Sequence, residues 1–380
     1  MIGFDKRYLF GFILYAIVLA LFFPVFKAIP VSAANYTSSA GAMIIMEQET
    51  GLVVAEKNAN EKRRMASTTK ILTAITAIES GVDLDKNVKV HPKAAGIEGS
   101  SIYLKKNELI SMRDLLYGLM LRSGNDAAVA IAYEIGGSAQ GFSKMMNDKA
   151  REIGAVNSNF INPHGLDAND HYTTAKDLAL ITCHAMKNPV FREISKTEVM
   201  RTKATENSAV RLFVNKNKIL RTTEGGVGVK TGFTKKAGRC LVSAVERDGL
   251  TFVAVVLNCG PMFEESAALL NSAHGEYMRL FADFDKMYGV EVSGSEKGVY
   301  NAKTTQKSFE KVIKRPESED YIIKEILFEN LSASLKKGTP VGVVKVLKKN
   351  EVLFESDILL EEDAMKKLLS FEEIFMELLK

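Results

Sequence analysis

Arg64-Met65-Ala66-Ser67-Thr68-Thr69-Lys70-Ile71-Leu72-Thr73-Ala74-Ile75 places a hydroxyl and an amine three residues apart at the head of an apolar run. Ile71, Leu72, Ile75 and Ile78 recur at helical spacing, which predicts a helix from Ser67 to about Glu79, ended by Ser80-Gly81. On such a helix Ser67 and Lys70 share a face, a nucleophile beside a base. The positive end of the helix dipole also lies at the Ser67 oxygen. The four-residue pattern alone is common, since Ser308 to Lys311 and Ser334 to Lys337 repeat it. Only the copy at Ser67 is followed by two more polar clusters, Ser123-Gly124-Asn125 and Lys230-Thr231-Gly232.

Outward from that helix the chain alternates two periodicities. Ala42 to Gln48 and Leu52 to Lys57 read as a hairpin about Glu49-Thr50-Gly51. Helices are expected over Met112 to Leu121, Asp126 to Ile135, Phe142 to Ile153 and Ala175 to Met186, with Thr173 or Thr174 capping the last. Ser123-Gly124-Asn125 falls in a turn between two of them. Pro189 reads as a break followed by weak strands. Gly226 to Thr231, Gly238 to Glu246 and Leu250 to Leu257 then form an antiparallel meander, and a helix is expected from Glu264 to about Tyr288. Strands at both ends with helices between describe an α/β sandwich whose first and last strands share one sheet.

Four segments result. Residues 1–34 read as a signal peptide, with Lys6 and Arg7 before an apolar run and Val31-Ser32-Ala33-Ala34 as the cleavage point; an uncleaved anchor is the alternative. Residues 35–289 form the α/β domain. Residues 290–360 form a small β-rich domain, and 361–380 an amphipathic helix with Met365, Leu368, Phe371 and Phe375 on one stripe. In that tail Glu361, Glu362, Asp363, Glu372, Glu373 and Glu377 outnumber Lys366, Lys367 and Lys380, which leaves membrane contact and packing on protein as equal readings.

The formal charge is only +4, with no basic block or stripe, which argues against nucleic acid. Cys183, Cys240 and Cys259 are too few for a disulfide scaffold and read as small core residues, a Cys240–Cys259 bridge being the alternative. The five histidines, His164 and His171 among them, are scattered without metal-ligand spacing, and the two named read as loop packing and capping.

The chemistry follows from the three clusters together. Ser67 is the nucleophile and Lys70 its base, provided that burial and the nearby Lys230 cation free its amine of a proton. Ser123 relays a proton to the leaving amine, and Asn125 orients Lys70. Lys230 and Thr231 hold a carboxylate, Gly232 lets a substrate approach the strand, and the amides of Ser67 and Phe233 face a developing oxyanion. No cofactor or metal is called for.

Arg63 to Lys70, Leu121 to Ala127, Pro163-His164-Gly165-Leu166-Asp167, Val229 to Thr234 and Lys337 to Gly342 together resemble a low-molecular-mass penicillin-binding protein of the D-alanyl-D-alanine carboxypeptidase family. The resemblance implies a β-lactamase/transpeptidase-like sandwich followed by a β-rich domain and an amphipathic helix that can meet a membrane. It implies removal of the terminal D-alanine from peptidoglycan stem pentapeptides outside the cytoplasm, by a Ser67 acyl-enzyme that β-lactams also form. Phe233 stands where some members carry histidine, and Cys259-Gly260-Pro261-Met262 where some carry arginine, so carboxylate binding falls to Lys230 and Thr231 with Lys216 as a helper. A class A β-lactamase would need a Glu-x-x-Leu-Asn loop between the second and third clusters, and none occurs there. A non-catalytic wall-binding protein would have lost one of Ser67, Lys70 or Lys230. Endopeptidase cutting of cross-links uses the same residues and stays open.

Overall fold

The computed structural model describes residues 36–368 and 370–379, so the segment read as an export signal lies outside the described residues. Strands β1 (Ala42–Glu47) and β2 (Val53–Lys57) lead through a 3₁₀ turn at Ala66–Thr69 into helix α1 (Lys70–Ile78). A short ribbon, β3 (Asn87–Lys89) with β4 (Leu109–Ser111), precedes α2 (Met112–Leu121), α3 (Asn125–Gly136), α4 (Ala139–Ile153), α5 (Ala175–Lys187) and α6 (Pro189–Lys196). A second ribbon, β5 (Val199–Arg201) with β6 (Leu212–Val214), and the one-turn helix α7 (Ile219–Thr222) lead into β7 (Gly226–Thr234), β8 (Gly238–Arg247), β9 (Leu250–Leu257) and α8 (Met262–Glu276).

The central sheet has the order β2-β1-β9-β8-β7, antiparallel throughout. First and last strands of the segment are therefore neighbours, Ala42 opposite Leu257. Period-two alternation divides their side chains between two cores. Ala42, Ile44, Met46, Val253, Val255 and Leu257 face the helices that include α1, while Met43, Ile45, Phe252, Ala254 and Val256 pack with Leu269, Leu270 and Ala273 of α8. Both faces are covered, so these strands read as continuous apolar runs rather than polar-apolar alternation. Helix α1 is buried from Lys70 to Ala77, which makes it the centre of the helical layer.

Strands β10 (Tyr277–Asp283), β11 (Tyr288–Glu291), β12 (Val299–Thr304), β13 (Ser308–Lys314), β14 (Tyr321–Leu327), β15 (Pro340–Lys348) and β16 (Glu351–Leu360) follow. β10 pairs with β13, and the others form a sheet of order β11-β12-β16-β15-β14 around Val290, Tyr300, Val344, Val346 and Ile358.

Three expectations change. The helix expected to reach Tyr288 stops at Glu276, because Tyr277 to Asp283 pair residue for residue with β13, and tertiary pairing overrides local propensity. Pro189 opens a helix instead of breaking one: Asn188 caps it by accepting from the amides of Val190 and Phe191, and proline at the first position loses no helical hydrogen bond. Among the described residues of the tail only α9 (Phe371–Leu378) is helical, since Ala364 and Lys366 bridge to Leu335 and Ser295 and Asp363 accepts from the Lys337 amide. All three cysteines are buried free thiols. Among the described residues no helix is long and apolar enough to cross a membrane.

One buried ion pair ties the loop before β4 to the turn that leads into β6. Arg211 donates to both Glu108 carboxylate oxygens (2.5 and 2.9 Å) and to the Ile102 carbonyl (2.9 Å). Burial pushes the Glu108 carboxyl up, and Arg211 with Ser208 more than reverses it, leaving the pKa lowered. Folding thus favours the charged form, and that stabilisation is lost as pH falls through the folded-state pKa. Arg211→Ala should cost about 3–5 kcal/mol in urea unfolding at neutral pH, because Glu108 is left buried without a partner. The deficit should shrink on acidification, as the stranded carboxyl takes up a proton.

Candidate active site

The Lys70 amine donates to three acceptors from three parts of the chain: Ser67 Oγ (2.9 Å), Asn125 Oδ1 (2.7 Å) and the His164 carbonyl (2.5 Å). The residue is fully buried. Burial lowers its pKa well below the usual lysine value, and the charges of Lys230 and Lys216 lower it further against an opposing contribution from Asp126. A neutral Lys70 can then take the Ser67 proton along the same 2.9 Å contact.

Ser67 lies in the 3₁₀ turn ahead of α1 rather than on the α-helix expected from the sequence. Two hydroxyls hold that turn: Thr68 donates to the Met65 carbonyl (2.7 Å) and Thr69 to the Ala66 carbonyl (2.9 Å). Ala66 has φ +51°, so the turn sits in the left-handed region that a β-carbon disfavours. His171 supports it from behind. Its Nδ1 accepts from the Ile161 amide (3.0 Å), which places the ring proton on Nε2, directed at Thr69 Oγ1 (3.0 Å). Burial pushes the His171 pKa down to about 4, so this brace is neutral.

The loop carrying His164 is set by Asn162, whose Oδ1 accepts from the His164 and Gly165 amides (3.2 and 2.7 Å). Gly165 has φ +87°, and a β-carbon there would meet the Ala66 carbonyl at 2.0 Å. Burial, then the charge of Lys70, push the His164 imidazole down to about 3, and it is the backbone carbonyl of this residue that reaches Lys70.

Ser123 is buried with φ +63° in the connection between α2 and α3. Asn125 donates its amide to the Glu98 carbonyl (2.6 Å), so its oxygen is turned toward Lys70. The next residue, Asp126, accepts from the Ser101 hydroxyl (2.6 Å) and the amides of Ile102 and Leu104 (both 3.0 Å). This fastens the loop containing Ser100, another cleft residue.

On β7, Gly232 faces the Ser67 turn, and Lys230, two residues before it, lies on the same face of the strand. Lys230 is 2% exposed and donates to the Thr231 carbonyl (3.0 Å). Burial, then the Lys216 charge, hold its pKa down at about 7. A β-carbon at Gly232 would stand 3.0 Å from both the Met65 carbonyl and the Ser67 amide. The close approach that this glycine permits is thus made by the protein's own nucleophile turn. Phe233 is 64% exposed. Ser67, Ser123, Thr231, Gly232, Phe233 and Lys216 meet at one cleft of about 340 Å³.

The family model described as D-alanyl-D-alanine carboxypeptidase matches residues 29–260, more than half the chain. The chain belongs to the D-alanyl-D-alanine carboxypeptidase family. A model described as the C-terminal domain of penicillin-binding protein 5 matches residues 286–366. The carboxypeptidase DacF of Bacillus subtilis is 33% identical over 341 residues, covering 86% of each chain. The D-alanyl-D-alanine endopeptidase of Escherichia coli is 27% identical over 268 residues, covering 69% of this chain and 81% of its own. The crystal structure of the carboxypeptidase DacD from Francisella tularensis superposes with a TM-score of 0.65 at 26% identity, over 90% of this chain and 97% of that one.

The eight residues singled out from the sequence of this family member all come to the cleft or to its Lys70 and Lys230 floor. The His164 carbonyl, Asp126 and the Thr69–His171 brace were not foreseen. A sequence signal existed for two of them: Asp126 directly follows Asn125, and Gly165 marks a left-handed turn beside His164. Lys216→Met removes a cation that depresses both buried lysines. Both limbs of the pH profile for acylation by a reporter β-lactam should therefore move to higher pH; an unshifted profile would show that Lys216 does not tune them.

Proposed function

We propose that the chain is a serine D,D-carboxypeptidase that removes the terminal D-alanine from peptidoglycan stem pentapeptides through a Ser67 acyl-enzyme, and that β-lactams acylate the same oxygen. The 2.9 Å contact between Lys70 and Ser67 at the floor of the cleft carries this reading. Ser67 Oγ attacks the carbonyl carbon of the penultimate residue while its proton passes to Lys70. The amides of Ser67 and Phe233 stabilise the oxyanion, an interaction made only as charge develops. Ser123 relays the proton from Lys70 to the leaving amine, and the C–N bond breaks. Water then attacks the ester, and Lys70 takes its proton and returns it to Ser67 Oγ as that oxygen leaves. Asn125 keeps Lys70 aimed throughout.

The substrate carboxylate is held by the Thr231 hydroxyl and the Lys230 charge, with Lys216 across the cleft taking the part an arginine would play. Gly232 and Phe233 offer their backbone to the stem peptide as an added strand. The segment from β1 to α8 carries this chemistry, β10 to β16 form an accessory domain that begins at Tyr277 rather than after residue 289, and 1–34 direct export, so that the enzyme works at the cell wall. The side chains of Phe371 and Leu378, 84% and 80% exposed, support a membrane-surface contact by the tail. The resemblance to an endopeptidase supports a second reading, cleavage of cross-links by the same residues.

Incubation with a labelled penicillin followed by peptide mapping should place the label on the peptide containing Ser67; label elsewhere, or none, would sink the assignment. Lys70→Ala should fold normally and lose acylation by about 10²-fold or more. Comparing D-alanine release from a stem pentapeptide with release from a cross-linked dimer separates the two readings.

A further inference from the structure

The two edge strands of the accessory domain's sheet, β11 and β14, come back to face each other. Past the end of β11 the Ser293 amide donates to the Leu331 carbonyl (2.8 Å), and the Ser293 carbonyl accepts from the Ala333 amide (3.0 Å). At the other end Lys286 pairs with Glu325 of β14 (2.6 Å). Between these two ties the edges stay apart, and a hollow of about 590 Å³ opens between Gly289 to Glu291 on one side and Leu327 to Leu331 on the other.

Neighbouring strands in this sheet are all antiparallel, so five of them leave the first and the last running the same way. The tie between the edges is accordingly a parallel bridge, Ser293 with Ser332. A strand laid in the gap in the opposite direction is antiparallel to both edges and closes the sheet. The backbone is already turned to receive it. The Val292 amide donates to the Gly298 carbonyl (2.8 Å), so alternation along β11 turns the amides and carbonyls of Gly289 and Glu291 away from β12 and into the gap. The bond from the Phe328 amide to the Val341 carbonyl (2.9 Å) likewise leaves those of Ile323, Glu325 and Leu327 directed away from β15.

The side chains point to the same vacancy. Ile323 lies opposite Val346, a core residue, so Ile323 and Leu327 belong to the inward face of the sheet. They are nevertheless 43% and 39% exposed, because the neighbour that would cover them is missing. The rim is acidic at one end. Glu291 and Glu329, where β11 and β14 finish, are exposed and have no ion-pair partner among the described residues.

We infer that this seam docks an extended segment of another protein, which adds itself as a sixth strand, with apolar residues alternating inward and basic residues at its amino-terminal end. The inserted strand runs against β11 and β14, so its amino-terminal end is the one that meets Glu291 and Glu329. Main-chain hydrogen bonds to both edges supply affinity, and apolar contact with Ile323 and Leu327 selects alternate side chains.

The full chain is titrated into an acetylated probe, Lys-Val-Lys-Val-Thr-Val-Thr, labelled with fluorescein at its carboxyl end, and the anisotropy is followed. The probe should bind saturably. The reversed sequence, with lysine at the wrong end, and a probe with proline for the central valine, which lacks one ladder amide, should each bind about tenfold more weakly. Glu291→Lys, at an exposed position, should weaken the parent probe by about tenfold. Gly289→Pro, which deletes an amide facing the gap and none facing β12, should do the same. No binding, or equal binding of the three peptides, overturns the site. Binding that Glu291→Lys leaves unchanged also overturns it, whether or not Gly289→Pro folds. A dimer of the full chain that the probe dissociates assigns the seam to a second copy and overturns a foreign partner.

Discussion

A lysine amine taken wholly out of water must find acceptors or give up its proton, and the rest of this site is arranged around that demand. Lys70 has three acceptors, one on its own turn, one at the start of α3 and one on the loop after α4. These oxygens favour the ammonium. Burial and the neighbouring Lys230 oppose them and win, which leaves the amine able to accept a proton from Ser67. Each of these contributions acts strongly in a low-dielectric interior. Removing any one acceptor therefore changes the protonation of the base as well as its position.

The same demand explains why supporting structure is so dense around residues that never meet the substrate. Thr68 and Thr69 tie the nucleophile turn, His171 braces Thr69, and Gly165 leaves room for the Ala66 carbonyl. Glu98 orients Asn125 through its carbonyl, and Asp126 fastens the facing loop. Each tie holds a functional atom by backbone or by a short side chain, which keeps the conformational entropy of the site low before substrate arrives.

Much of this was legible in the sequence because it depends on short-range spacing. The Ser67–Lys70 pair, the interhelix turn at Ser123 and the meander carrying Lys230 follow from periodicity and turn residues. Pairings distant in sequence were not legible. Tyr277 to Asp283 have a composition acceptable to a helix, and only β13 makes them a strand. Pro189 was misread because a proline signals both helix start and helix end, and Asn188 decides between them. The His164 carbonyl escaped notice because a backbone acceptor leaves no side-chain signature.

The adjacency of β1 and β9 bears on how the molecule is made. β1 is synthesised before any catalytic residue, yet its partner β9 emerges after all of them, with Ala42 opposite Leu257. The sheet that presents Lys230 and Thr231 to Ser67 is thus a high-contact-order structure, slow to close and incomplete until the last strand is available. A nascent chain carries every reactive side chain long before it carries an active site.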